Sequence, residues 1–436
     1  MTADEVVALA KRHTLFEWSA QSALQPLAVS RADGVHFWTA DGARLLDFNS
    51  QSMCVNVGHG NRHIIDAISR QLTSVAFVSP FMTTEARALL GSRLAVVTPG
   101  DIDVFFFTTA GTEANEHAVR IARAVTGRRK VLAQYRSYHG ATTGSLALSG
   151  DPRRWHAGSD VAAVVHVLHP YRGPDRGWDS TDDALARLEE TIQHEGLETF
   201  AAFILEPVAG SNGILVPPDD YLRGVRELCT KYGILMICDE IMSGFGRTGE
   251  WFAVDHWRVV PDILTMAKGL TSGYVPLGAI GVRRSVAAAF ADRALNCGLT
   301  YNSHPVACAA ALATLDVYRE CGLIENARAM GAVMRSLACT LQERHECVGA
   351  VRSIGLFGLI ELVRSRDPYV PLAAYATTSP AMTLLGRLLH ERGLYTMVRW
   401  NWLFTNPPLC ITEDQLREGF AIIDDALTSL ERSQDF

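Results

Sequence analysis

The sequence predicts an α/β protein whose main unit is a mostly parallel sheet covered by helices on both faces, followed by a separate α+β unit. From about residue 62, short apolar runs of strand length alternate with amphipathic helical segments, the pattern of buried parallel strands joined by crossover helices. After about residue 305 the pattern changes to a long helical stretch, HPVACAAALATLDVYREC, and then shorter strands such as VRSIGLFGLIEL. With 436 residues, the chain is long enough for two or three structural units.

The first 58 residues mix aromatic and turn-rich pieces, and within them GVHFWTADGARLLDF reads as two short strands around an Asp41-Gly42 turn. HIIDAISRQL is then helical, DVFFFTT a strand, GTEANEHAVRIARAVTG a helix and KVLAQY a strand. From Asp151 to Gly196 the chain is rich in Pro, Gly, Trp and His. The first half of that segment is expected to be a surface loop near a site, the second half the helix TDDALARLEETIQ. FAAFILEP follows as a strand, DDYLRGVRELCTKYG as a helix, and ILMIC and DILTMA as strands.

Composition narrows the function. The formal net charge of -7 argues against a nucleic acid or an anionic membrane held by charge. MTADEVVALAKRH carries Asp4 and Glu5 where a signal peptide needs positive charge, and no apolar run approaches the roughly 18 residues of a membrane span, so a cytoplasmic protein is expected. The nine cysteines, scattered from Cys54 to Cys410 without a C-x-x-C pair, suggest buried thiols and neither a disulfide framework nor a zinc ribbon. His59 and His63 lack the glutamate a metal site would need, and no metal is assigned.

The stretch ILMICDEIMSGFGRTG, residues 234–249, admits several chemistries. Gly244, Gly246 and Gly249 spell a dinucleotide turn, but they follow an Asp-Glu pair, and EWFAVDHWRVV runs only to Val260 before Pro261 breaks it, leaving no crossover helix. An ATPase would need a phosphate loop upstream, and the chain contains no Gly-Lys dipeptide. What remains is Asp239 at the carboxyl end of a buried strand, where α/β sheets place ligands; by itself it fits a turn cap equally well.

The lysines add weight to the ligand reading. Lys11, Lys130 and Lys231 lie in polar surroundings, whereas Lys268 follows the apolar strand DILTMA and precedes Gly269. Burial lowers a lysine's pKa and frees the amine for Schiff-base chemistry. Such a lysine paired with a carboxylate suggests pyridoxal phosphate, whose ring nitrogen Asp239 would keep protonated. Gly111 and Thr112 open a helix with Ala114, Ala118, Ile121, Ala122 and Val125 on one apolar face, and backbone amides at such a start favour a phosphate. Tyr138 in SYHGAT is placed to stack on a cofactor ring, although core packing is the commoner fate of a lone tyrosine.

FFFTTAGTEANEHAVRIAR, SYHGAT, ILEPV, CDEIMSGFGRTG, AKGLTSGYVPLGA and LTYNSHPVACAAALA occur in that order, and in this the chain closely resembles the class III pyridoxal-phosphate aminotransferases, or ω-aminotransferases. The resemblance implies fold type I, with a mainly parallel seven-stranded sheet between helices. It divides the chain into an N-terminal segment (1–58) packing with the small domain, a large cofactor-binding domain (59–305) and a small α+β domain (306–436). It makes Lys268 the Schiff-base lysine and proton carrier, Asp239 the pyridine-nitrogen partner, Tyr138 the stacking aromatic and Ile241 the cover on the other ring face. Gly111 and Thr112 would hold the phosphate together with Thr300 from a second subunit, so a homodimer or a tetramer is expected. His139 and Glu206 belong to the implied cofactor set. The family usually has Ser where this chain has Ala110, which removes one hydroxyl near the phosphate.

The opening HTLFEWSAQSALQP looks most like taurine:pyruvate and related amine:pyruvate enzymes. The implied reaction is ping-pong transfer from an ω-amine or amino acid, such as taurine, β-alanine, a diamine or an aryl-alkyl amine, to pyruvate, giving alanine. Trp18, Met53, Phe81 and Tyr138 would line the donor pocket, and Arg399 would bind the keto-acid carboxylate. Aminomutase or decarboxylase chemistry on the same fold is the alternative.

Overall fold

The computed structural model describes residues 1–156, 163–174 and 176–436. Its central sheet has seven strands in the order Ile102–Thr108, Gly278–Arg283, Ile263–Met266, Leu235–Asp239, Phe200–Leu205, Lys130–Gln134 and Val164–Val167. Neighbours pair in parallel from Ile263–Met266 to the Val164–Val167 edge, and Gly278–Arg283 runs against both of its neighbours.

Alternation along these strands builds two apolar layers, because successive side chains point to opposite faces. Val131, Ala133, Ala202, Ile204, Ile237, Ile263 and Ile280 pack on one face with Ala114, Ala118, Ile121 and Ala122 of the Gly111–Thr126 helix. Leu132, Phe203, Leu205, Met236, Cys238 and Leu264 belong to the other layer, with Leu188 and Ile192 of Thr181–Glu195 and Leu222 and Val225 of Tyr221–Tyr232. Burying each large apolar side chain stabilises by about 1.5–3 kcal/mol. Truncating the fully buried Phe203 to Ala would cost roughly 3–5 kcal/mol.

A second sheet joins Val348–Ile354, Phe357–Arg366, Trp402–Thr405 and Val398–Arg399, with Tyr369–Pro371 pairing on Phe357–Arg366. Near the amino end, Val29–Asp33, His36–Thr39 and Arg44–Asp47 form a sheet completed by Leu394–Tyr395, which joins the two ends of the chain. The Asp41-Gly42 turn sits between the expected strands, with Gly42 at φ +94. Among the described residues, no helix is long and apolar enough to cross a membrane.

One expected loop is partly strand, and one further strand has no counterpart among the expected elements. The first half of Asp151–Gly196 is not loop throughout: Val164–Val167 is the edge strand of the main sheet, and Tyr171–Gly173 pairs with Gly177–Trp178. The β-branched valines of Val164-Val165-His166-Val167 suffice for a strand that the surrounding Pro and Gly disguise. Residues 157–162 and 175 of that segment lie outside the described residues. The strand Gly278–Arg283 was also unread, because Gly278 and Gly281 look like breakers. Packing demands the second of them: a Cβ on Gly281 would come within 2.6 Å of Ile102 Cγ2.

Candidate active site

The carboxyl ends of the parallel strands open onto a cavity of about 370 Å³. Its wall includes Gly111 and Thr112 from the helix after Ile102–Thr108, Tyr138 and His139 from the loop after Lys130–Gln134, and Glu206 at the end of Phe200–Leu205. Asp239 and Ile241 come from the end of Leu235–Asp239, and Lys268 follows Ile263–Met266. Each functional side chain thus stands at the last residue of a strand or within five residues past its end, where pairing stops and the chain is free to turn into the crevice.

Lys268 is partly exposed and sits at φ +43, in the left-handed region. For a residue with a Cβ this strain is worth of order 1–3 kcal/mol and must be held by its surroundings. Tyr318 Oη helps by donating to the carbonyl of Gly269 at 2.8 Å. Burial lowers the amine's pKa below the usual lysine range; Cys54, Asp239 and Glu206 oppose that shift, and Arg153 adds to it.

Asp239 is buried, and its two oxygens are used unequally. Oδ2 accepts from Asn115 Nδ2 at 2.7 Å and from His139 Nδ1 at 2.8 Å. Oδ1 accepts from the backbone N–H of Ile241 at 3.0 Å. Glu206 accepts from the N–H groups of Tyr138 and Gly210, each at 2.8 Å, while burial pushes its carboxyl up to about 7. The His139 ring donates through Nδ1, and its buried Nε2 has no hydrogen-bond partner among the described residues.

At the start of the Gly111–Thr126 helix, Ala110 offers no side-chain cap. Gly111 lies so close to Ile241 that a Cβ there would come within 2.6 Å of Ile241 Cδ1. The arrangement can therefore do three things: offer an amine partly stripped of water, hold a cationic ring nitrogen against a fixed carboxylate, and receive an anion at the helix start. These features fit a pyridoxal-phosphate group.

The remaining expected residues lie elsewhere. Trp18 is half-exposed, with Arg153 5.7 Å from its ring. Phe81 is fully exposed, Thr300 is exposed, and Met53 is buried in the main apolar cluster. None of the four, nor Arg399, lines this cavity. Arg399 is held by Asp151 Oδ2 at 3.4 Å and by the Ser211 carbonyl at 3.3 Å; burial lowers its pKa.

Sequence reasoning missed two groups of residues. Asn115 carried a signal: it falls three, four and seven positions before the buried Ala118, Val119 and Ala122, so it is polar on the apolar face. Asp151 and Arg153 carried none. Asp151 is fully buried and takes the Arg153 guanidinium through Nε at 2.8 Å, as well as Arg399.

The family model for aminotransferase class-III matches residues 18–427. The putrescine–pyruvate aminotransferase of Pseudomonas aeruginosa is 34% identical over 406 residues, covering 89% of this chain and 88% of its own. The solved taurine:2-oxoglutarate aminotransferase of Bifidobacterium kashiwanohense, in complex with PLP and glutamate, is 38% identical with a TM-score of 0.96, covering 99% of both chains. An (S)-enantioselective omega-transaminase of Thermomicrobium roseum is also 38% identical, with a TM-score of 0.92 and 99% of both chains covered. Strand-end geometry and likeness over nearly the whole length agree: the chain belongs to the class III aminotransferases, pyridoxal-phosphate-dependent enzymes of fold type I.

Proposed function

We propose that the protein transfers the amino group of a small donor with an anionic tail, taurine or β-alanine being the type, to a keto acid by a ping-pong mechanism. One observation carries the substrate class: Arg153 and Arg399 both pair with the buried carboxylate of Asp151, so among the described residues two guanidinium groups share one ion-pair partner. The surplus favours an anionic substrate group over a neutral one. The taurine:2-oxoglutarate enzyme, 38% identical, supports the same donor class.

When bound, pyridoxal phosphate supplies a carbonyl that engages the amine and a ring that accepts the electron pair left when a C–H bond breaks. Lys268 would hold the cofactor between turnovers, then take the proton from the donor's amine-bearing carbon and return it at the cofactor's C4′. Its lowered pKa supports this role, because only the free amine can accept a proton. Asp239 would keep the ring nitrogen protonated, with Tyr138 and Ile241 on the two ring faces. Gly111 and Thr112 would bind the phosphate, joined by Thr300 of a second copy in a homodimer. His139 would orient Asp239, and Glu206 would fix the Tyr138 loop. Trp18, Met53 and Phe81 would shape the donor side. In this reading residues 59–305 form the cofactor-binding domain, and 1–58 pack with 306–436.

The acceptor we propose is pyruvate, its carboxylate bound by Arg399. The second guanidinium, Arg153, also favours 2-oxoglutarate, whose two carboxylates could use both arginines. A donor panel against each keto acid tests the function. The expected result is loss of taurine or β-alanine matched mole for mole by alanine or glutamate, and abolished in Lys268→Ala. Amine consumption without a keto acid would overturn transfer in favour of aminomutase or decarboxylase chemistry.

A further inference from the structure

We infer that Asn115 is a positioning residue that divides the labour of the Asp239 carboxylate, occupying Oδ2 so that Oδ1 is the oxygen left for the cofactor's ring nitrogen. The inference rests on the reading of this cavity as a pyridoxal-phosphate site.

Hydrogen bonding determines which way the Asn115 amide faces. Its Nδ2 lies 2.8 Å from the backbone carbonyl of His139, and a carbonyl only accepts, so the atom there must be the NH₂ group. The second Nδ2 hydrogen then reaches Asp239 Oδ2 at 2.7 Å. Asn115 Oδ1 takes the Thr265 hydroxyl at 2.7 Å, which closes the amide's bonding on that side. Asn115 and Thr265 are both fully buried, so no water competes for these bonds.

With His139 Nδ1 also on Oδ2, that oxygen holds two side-chain donors, and among the described residues Oδ1 holds only the Ile241 amide at 3.0 Å. A carboxylate oxygen has room for two donors. The vacancy is therefore on Oδ1, and the two bonds on Oδ2 prevent the group from rotating to exchange its oxygens. Thr265 stands on the strand next to that of Asp239, and the two residues are register partners, Asp239 against Thr265. The sheet itself thus sets the amide's anchor. The Asn115 amide holds the Asp239 carboxylate in place, and a carboxylate facing the ring nitrogen favours the protonated ring.

The test uses holoenzyme loaded with ¹⁵N-labelled pyridoxal phosphate, comparing wild type with Asn115→Leu and Thr265→Val. Asn115→Leu removes the amide donor from Oδ2 without adding charge, and Thr265→Val removes only the anchor. The ring-nitrogen resonance is expected to move toward the unprotonated position, strongly in Asn115→Leu and in the same direction but less in Thr265→Val. The donor half-reaction at saturation should slow by about 10-fold to 100-fold in Asn115→Leu. An unchanged resonance in Thr265→Val and in every Asn115→Leu sample that retains cofactor overturns the inference. A wild-type protein that takes up no pyridoxal phosphate would instead overturn the reading of the site.

Discussion

The guanidinium carbon of Arg153 lies 3.4 Å from the centroid of the Tyr138 ring, and the same side chain grips the buried Asp151. Tyr138 is thus covered by a cation on one side, while its loop is pinned by its backbone bond to Glu206. A stacked cation of this kind is worth about 0.5–2 kcal/mol; Nη2 of Arg153 also donates to Ser211 Oγ at 2.9 Å, and among the described residues its Nη1 group is left to meet an anion.

If Arg153 selects the donor's tail, Arg153→Ala should lower kcat/KM for taurine and β-alanine by about 10-fold to 100-fold. A neutral aryl-alkyl amine should change by less than about threefold. Initial rates on the two donor types with one keto acid check this, and equal losses on both would assign Arg153 to holding Tyr138 instead.

Arg399 makes a separable prediction because its bonds at 3.3 and 3.4 Å are long and easily exchanged for a ligand. Arg399→Ala should raise the keto-acid KM by about 10-fold or more and leave the KM for a neutral amine nearly unchanged. Two-substrate steady-state kinetics distinguish the half-reactions.

Ala110 precedes the helix start in extended backbone, φ -155 and ψ 170, which a serine can adopt without strain. Ala110→Ser should tighten cofactor binding about fivefold by adding one hydroxyl donor to the phosphate. Titration of the apoprotein with pyridoxal phosphate, followed by fluorescence, measures it; an unchanged Kd would put the phosphate elsewhere.

Glu240 should make stability fall as pH rises from about 4.5 to about 7. It is fully buried, accepts from Val254 N–H at 2.8 Å and from Ser243, and burial pushes its carboxyl up to about 7 from the usual 4.5. Between those values the folded protein binds more protons than the unfolded chain, so its stability decreases with pH through that window. Above about pH 7 the full cost of a buried charge is present. Glu240→Gln should therefore flatten the Tm-versus-pH curve of the apoprotein between pH 5 and 8, as differential scanning calorimetry would record.

Much of this protein was legible in its sequence. Apolar runs such as FAAFIL and LMIC are local records of burial, and Asp239 and Lys268 stand just past such runs. Chain order and the rule that parallel strands expose ligand sites at their carboxyl ends were enough to bring these two residues and Gly111 to one crevice. Tertiary structure alone decided the rest. Asn115 meets Thr265 across 150 positions, Arg399 meets Asp151 across 248, and the glycine-interrupted strand Gly278–Arg283 slots between two others in the opposite direction. Periodicity reports which face of one element is buried. Which elements become neighbours is settled by the simultaneous packing of all of them, and the polar contacts that tune a site form only after that choice.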